Sequence, residues 1–481
     1  MGITSTPLEN QAPSMRRWMK NYSQKVTDSL EISKPKNHLL VLDGIRAVAC
    51  LLVLLHHIVV HVILPAHWSG IWNPSGKIQV LLAAGLEFGD SGVILFFLLS
   101  SFLLFLPFAK ALLFGGQWPS LSRFYIRRFF RIIPGYYVAI FLMILFFHPE
   151  FLQAAYRVKL LEFLTFSMGA QVPAQLNGPF WTMAVEFQFY MLLPLIAWVL
   201  SLIVRHGTLR WRITKLVSCL LVMLGWGLLA RWWGILFYPT ATNPPPNILA
   251  ALQPYYYGDN GKYFESFAVG MLLALLYVYI QNAPKGDFLR RKLQRWSSWM
   301  FLIGLLILGF LAVCRFFALN GQYDSAFAFL EPHTTMLTQT YMQWQSLGFA
   351  ICYGLCICAL LYTSGSLKRP FEWPIFRWIG LFSFSLYMWH YPLLFLFMNM
   401  LNTQFQGVPH GVQLVALLAW VVFIIFPISL TLYRWVEMPG MRLGELFLQW
   451  IEKRRKKRPT DIVTHVPVQE TISKPVEVEI S

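Results

Sequence analysis

Apolar residues recur along this chain in runs close to the roughly 20 residues that a helix needs to cross a bilayer. Ten such runs are read, at 44–64, 91–109, 132–148, 180–204, 213–237, 262–280, 298–318, 345–362, 376–402 and 411–434. The third and the eighth are short, and their edges are the least defined. Long apolar runs predict helices because a helix satisfies its own backbone polar groups where no water can. The pattern predicts an all-α, polytopic integral membrane protein with about ten transmembrane helices. Residues 1–40 read as a polar N-terminal tail, 41–445 as one transmembrane domain and 446–481 as a basic C-terminal tail. No linker divides the core, and no internal repeat is found. Both tails are expected to be disordered, apart from a short helix before the basic run at the end.

Composition sharpens this reading. With 57% hydrophobic and 13% charged residues among 481, the chain is no ordinary soluble domain. The net charge of +17 could suggest nucleic acid, but its distribution excludes that. Basic residues precede the first run (Arg16, Arg17, Lys20, Lys25, Lys34, Lys36) and return after the second (Lys110, Arg123, Arg127, Arg128, Arg131). They return again after the fourth, sixth, eighth and tenth, while the loop after the seventh has Asp324 and Glu331 and no Lys or Arg. Every second loop is basic, which places both termini in the cytoplasm by the positive-inside rule. The final basic run, Arg454 within it, reads as a cytosolic tail near acidic lipid headgroups. A multi-pass protein of the cell membrane is expected, with the lipid bilayer as partner and no nucleic acid.

Cysteines 50, 219, 314, 352, 356 and 358 lie in or beside apolar runs without metal or redox spacing, so they read as small buried hydrophobes and no metal is expected. The polar first forty residues hold no signal core, and Met1-Gly2 with Thr6 is too short a match to a myristoylation pattern to carry weight.

The segment from Leu42 to His57, LDGIRAVACLLVLLHH, is the richest in chemistry. It carries Arg46 and His57 eleven residues apart, about three turns, and so on nearly the same face of one helix. Asp43 lies one turn before the arginine and His61 one turn beyond the histidine. Ionisable groups at that depth are costly in lipid and face a protein interior or a wet cavity. A neutral His57 could take a proton from a hydroxyl. A histidine bonded to a neighbouring helix is the plainer alternative, and His56, pointing elsewhere, reads as structural. Arg123, Arg127, Arg128 and Arg131 stand among aromatics at the mouth of the third run. Arginine forks suit phosphate, while topology and lipid headgroups explain part of the cluster. Glu186, followed one turn on by Tyr190, sits in an apolar run, where it could orient an imidazole, stabilise its charge, hold an acceptor hydroxyl or make a structural bond. The ninth run adds Ser383, Ser385, Tyr387 and His390, with Pro392 able to open the helix. The loops 238–261 and 319–344 form the largest outward-facing surface; their aromatic and amide groups suit a sugar-like or polyketide acceptor, while aromatics at a membrane boundary are the plainer alternative.

Together these segments resemble the acyltransferase-3 family of integral membrane acyltransferases, from about Leu40 to Arg442. The matching motifs are Leu42-Asp43-Gly44 with Arg46 and His57, and FFLLSSFLL. Then come Tyr125, Arg127, Arg128, Arg131 and Pro134, followed by Trp181, Glu186 and Tyr190. Ser383, Ser385, Tyr387, His390 and Pro392 come next, and Val436, Glu437 and Pro439 close the series. Ser101 stands where the family has glycine, which questions a close helix contact there. An additional external domain, present in some members, is not expected after the last run.

The resemblance implies transfer of an acyl group, acetyl above all, from cytoplasmic acyl-CoA to a hydroxyl of a cell-surface glycan, lipid or small natural product. No cofactor is expected to be permanently bound; acyl-CoA is a co-substrate. His57, Arg46 and Glu186 become the expected catalytic residues, with His57 as base or transient acyl carrier. Arg127, Arg128 and Arg131 become the donor-binding residues. Asp43, His61, Tyr190, Ser385, Tyr387 and His390 become supporting ones. The rival reading is a transporter of an anionic or sugar-lipid substrate, since buried His, Arg and Glu also serve proton coupling.

Overall fold

The computed structural model describes residues 39–63, 77–168, 176–236, 261–320, 340–363, 365–404 and 407–457, and among them every regular element is a helix. Helix α1 spans Leu40–Ile58 and continues as a π-turn over Val59–Ile63. Helix α2 (Lys77–Glu87) leads through a 3₁₀ turn, Phe88–Ser91, into α3 (Gly92–Phe114). Next come α4 (Leu121–Phe146), the short α5 (Arg157–Leu164), α6 (Phe180–Val204), α7 (Leu209–Leu236) and α8 (Phe264–Asn282). They are followed by α9 (Gly286–Asn320), α10 (Tyr341–Tyr362), α11 (Pro374–Leu381) and α12 (Ser383–Gln404). A final long rod runs through α13 (His410–Trp420), α14 (Phe426–Leu432) and α15 (Met438–Lys457), joined by two π-turns.

Among the described residues, nine helices are long and apolar enough to cross a membrane, and α11 with α12 makes ten if that bent pair is one span. The ten sequence-predicted runs each fall on one of these. The third is longer than its apolar part, because the arginine segment is helical too and Ser120 caps it by accepting from the Arg123 N–H. The ninth is interrupted, but not at Pro392: α11 and α12 meet at Phe382 with a bend of 76°. Pro392 lies inside a continuous helix. A proline removes the N–H that would bond the carbonyl four residues back. Here that carbonyl, of Met388, accepts instead from Asn177 Nδ2 at 2.9 Å.

The second span is the most enclosed, 72% buried, while the last is 17% buried and lies at the periphery. Helix α8 packs along α3, α10 along α9, α11 against α1 and α15 against α4. At the α1–α11 crossing, a side chain on Gly44 would strike the backbone of Phe371, and one on Gly380 the backbone of Asp43. These two glycines let the segments touch main chain to main chain, which places Asp43 and Arg46 at a fixed depth. The close contact questioned at Ser101 is present: Gly270 on α8 makes the space, and Ser101, fully buried, donates to Leu98 O at 3.0 Å. Outward-facing side chains such as Phe141, Val222, Trp226, Leu306 and Phe423 are exposed apolar groups, the surface that lipid requires. This is a multi-pass integral membrane protein.

The C-terminal tail expected from 446 begins as helix, since α15 runs unbroken to Lys457. The rest of both tails, and most of the two outward loops, lie outside the described residues.

Candidate active site

Helix α1 holds Arg46 and Asp43 toward one end and His57 and His61 toward the other. Each end opens into a cavity. Arg46 lines one of about 400 Å³, together with Asp43, Ser100, Arg128, Arg131, Glu186 and Tyr190. His57 lines another of about 470 Å³, with His61, Asp90, Trp181, Tyr263, Arg315 and Tyr391. Val93 and Tyr387 line both.

In the histidine chamber, the Nδ1 of His57 lies 2.7 Å from the Nε2 of His390, which is fully buried on α12. The other ring nitrogen of His390, Nδ1, is 3.1 Å from the Leu386 carbonyl. A carbonyl can only accept, so the neutral His390 carries its proton on Nδ1 and presents a lone pair at Nε2. His57 must then donate from Nδ1, which leaves its own Nε2 as a lone pair. A backbone carbonyl thus fixes the tautomers of both rings in the neutral state. Tyr391 sets its ring edge-on to both His57 and His61, at 5.2 and 5.1 Å between centroids. His56, which lines the same chamber, donates from Nδ1 to the Glu87 carbonyl at 2.8 Å.

The arginine chamber collects three guanidinium groups against the carboxylates of Asp43 and Glu186. Arg46 stands 3.8 Å from Asp43 on the preceding turn. Arg128 lies over the Tyr190 ring, 5.9 Å from its centroid. Arg131 faces Glu437 at 3.9 Å, and that buried carboxylate accepts from Ser385 Oγ at 3.0 Å. Ser385 therefore braces an arginine through Glu437 and lines neither chamber. Glu186 accepts from Ser100 and Tyr190.

Of the roles open to Glu186, the structure places it in the wall of the arginine chamber, bonded to Ser100 of α3 and to Tyr190 and, among the described residues, to no histidine. Arg127 turns away from the chamber: its guanidinium pairs with Glu445 of α15, at 2.9 and 3.3 Å. Neighbouring residues on a helix diverge by about 100°, so Arg127 and Arg128 cannot share a face. The outermost of the four, Arg123, pairs with Glu452.

Other groups of the site were not singled out from the sequence. Arg315 bonds Asp90 through two nitrogens, at 3.2 and 2.6 Å. Arg231, 2% exposed, pairs with the fully buried Glu265 at 2.7 Å, and Ser346 donates to the same carboxylate oxygen. Both pairs stand in or at the ends of apolar spans, and a charge there is itself a signal. Ser100, beside Ser101, and Thr182 carry a weaker one, as hydroxyls within apolar runs. Among the described residues, no group of three or more His, Cys, Asp or Glu is placed to hold a metal ion.

A family model described as an acyltransferase domain matches residues 39–434, and the chain belongs to this acyltransferase-3 family. It is similar to the peptidoglycan O-acetyltransferase OatA of Listeria monocytogenes, 26% identical over 425 residues that cover 84% of this chain and 56% of that protein. It is also similar to the putative peptidoglycan O-acetyltransferase YrhL of Bacillus subtilis, 26% identical over 375 residues, covering 74% of this chain and 48% of that one. The chain thus spans about half the length of the curated relatives it matches. No solved structure matches it.

Proposed function

We propose that this protein is a membrane O-acyltransferase, specifically an O-acetyltransferase, that takes the acyl group from acyl-CoA and places it on a hydroxyl. The observation that carries this reading is the 2.7 Å contact between His57 Nδ1 and His390 Nε2, which leaves an unprotonated Nε2 on a histidine that lines a cavity. Proton abstraction by a positioned group of this kind contributes on the order of 10²- to 10⁴-fold in rate.

Acyl-CoA enters the arginine chamber, where Arg46, Arg128 and Arg131 hold its phosphates. That mouth lies beside the basic loops, which the positive-inside rule assigns to the cytoplasm. The acceptor reaches the histidine chamber from the opposite side. Its oxygen attacks the thioester carbon and forms the new carbon–oxygen bond as the hydroxyl proton passes to His57 Nε2. The carbon–sulfur bond then breaks, and the thiolate of coenzyme A leaves with that proton. The names of both matched relatives specify peptidoglycan, which supports a cell-surface glycan as the acceptor class over a lipid or small natural product. Membership of an acyltransferase family disfavours the transporter reading.

The test uses inverted membrane vesicles carrying the wild-type chain or His57→Ala, supplied with labelled acetyl-CoA. Transfer of label to a hydroxyl acceptor by wild type alone supports the reading. Equal transfer by the variant at equal membrane abundance removes His57 from the mechanism.

A further inference from the structure

Val93 of α3 and Tyr387 of α12 each line both chambers, so at that level the wall between donor and acceptor sides is one side chain thick. Tyr387 is held firmly there. Thr182 Oγ1 has one hydrogen, and the Pro179 carbonyl 2.8 Å away can only accept it. The 2.8 Å bond between Tyr387 and Thr182 therefore has the tyrosine hydroxyl as donor. Phe96 stands edge-on to the tyrosine ring at 5.5 Å, and the His390 ring is 5.7 Å away, tilted to it. A buried ring anchored at its hydroxyl and in contact with two other rings does not swing freely, and Val93 has a stiff β-branched side chain.

From this geometry we infer that Tyr387 and Val93 form a rigid partition that sets the length of acyl chain transferred, admitting acetyl and excluding chains a few carbons longer. The inference rests on the acyl-transfer reading above. The thioester carbon has to meet the acceptor oxygen near His57 while its sulfur stays joined to a carrier held by the arginines. The carbon then sits at the partition, and the acyl tail lies against the valine and the tyrosine ring. Each additional methylene needs volume that these two side chains occupy.

The experiment supplies vesicles with equimolar acetyl-CoA and butyryl-CoA and reads the ratio of butyryl to acetyl on the acceptor. Tyr387→Ala and Val93→Ala are each expected to raise that ratio about tenfold or more, the discrimination that one or two methylenes give in a shaped pocket. Val93→Phe is expected to lower it. The opposed Val93 variants carry the test whatever Tyr387→Ala does to folding. A general loss of packing lowers both products and leaves the ratio alone, so variants that transfer acetyl with an unchanged ratio overturn the partition. Wild type that transfers no acyl group from either donor overturns the acyl-transfer reading itself.

Discussion

The imidazoles of His57 and His390 belong to residues 333 positions apart in the chain, yet their facing nitrogens are 2.7 Å apart and their rings are stacked at 4.9 Å. The Leu386 carbonyl decides the direction of that bond, and through it which nitrogen of His57 keeps a free lone pair. Under the acyl-transfer proposal, His390 is thereby a positioning residue and His57 the one that meets substrate.

Replacing His390 by Phe keeps a ring in the site but removes the acceptor for His57 Nδ1–H. His57 is then free to take either tautomer, and the wrong one has no base at Nε2. We expect kcat to fall on the order of 10²-fold, toward the lower end of what a general base contributes. KM for acyl-CoA should stay within about twofold, because an interaction used only in the transition state leaves binding alone. Steady-state kinetics in vesicles separate the two constants; a rise in KM at constant kcat would show that His390 acts on the donor instead.

Arg127 and Arg128 are adjacent in sequence and opposite in consequence. Arg128 lines the chamber, whereas Arg127 is tied to Glu445 on the outside. Arg128→Ala should raise KM for acyl-CoA about tenfold, which is ~1.4 kcal/mol of binding, and make it less sensitive to salt. Arg127→Ala should leave KM nearly as it was. Equal effects from the two would mean that phosphate binds outside the chamber.

Glu186 is expected to act on the donor side. With Ser100 and Tyr190 both donating to its carboxylate, the group shapes the wall of the arginine chamber. Tyr190→Phe removes one donor and loosens the ring beneath Arg128, so KM for acyl-CoA should rise several-fold with little change in the pH dependence of kcat. A shifted pH profile without a KM effect would couple Glu186 to His57 after all.

How much of this was legible in the sequence follows from what kind of force acts. The bilayer imposes its length on every apolar run, so the nine long apolar helices and the bent α11–α12 pair were readable without knowing their neighbours. The Arg46–His57 stripe was readable because helical periodicity alone sets it. What local pattern cannot contain is the partner across the bundle. Alone, the ninth run with His390 reads as a packing or kink feature, and only the packing of α12 on α1 makes His390 a hydrogen-bond acceptor for His57. The outward turn of Arg127 depends on α15 lying along α4, and the site of the ninth span's break depends on Phe382, not on the more conspicuous Pro392. Arg231, Glu265, Asp90 and Arg315 were visible as charges near apolar runs, but which would pair with which was not.

The Arg231–Glu265 pair supports a last prediction, on stability. Both side chains are almost fully buried, Ser346 adds a bond to the carboxylate, and the guanidinium lies 4.8 Å from the centre of the Tyr263 ring. Two charges removed from water recover their desolvation cost only together, so deleting one is far worse than deleting both. Breaking such a pair costs about 3–5 kcal/mol, whereas replacing both partners by apolar groups is often neutral. Glu265→Leu should therefore lower the thermal stability and membrane abundance of the protein sharply. Adding Arg231→Met to that variant should restore most of the loss, which a thermal-shift assay in detergent can follow. If the double variant is instead as unstable as the single one, the pair is held for its contacts in the histidine chamber and not merely as compensated charge.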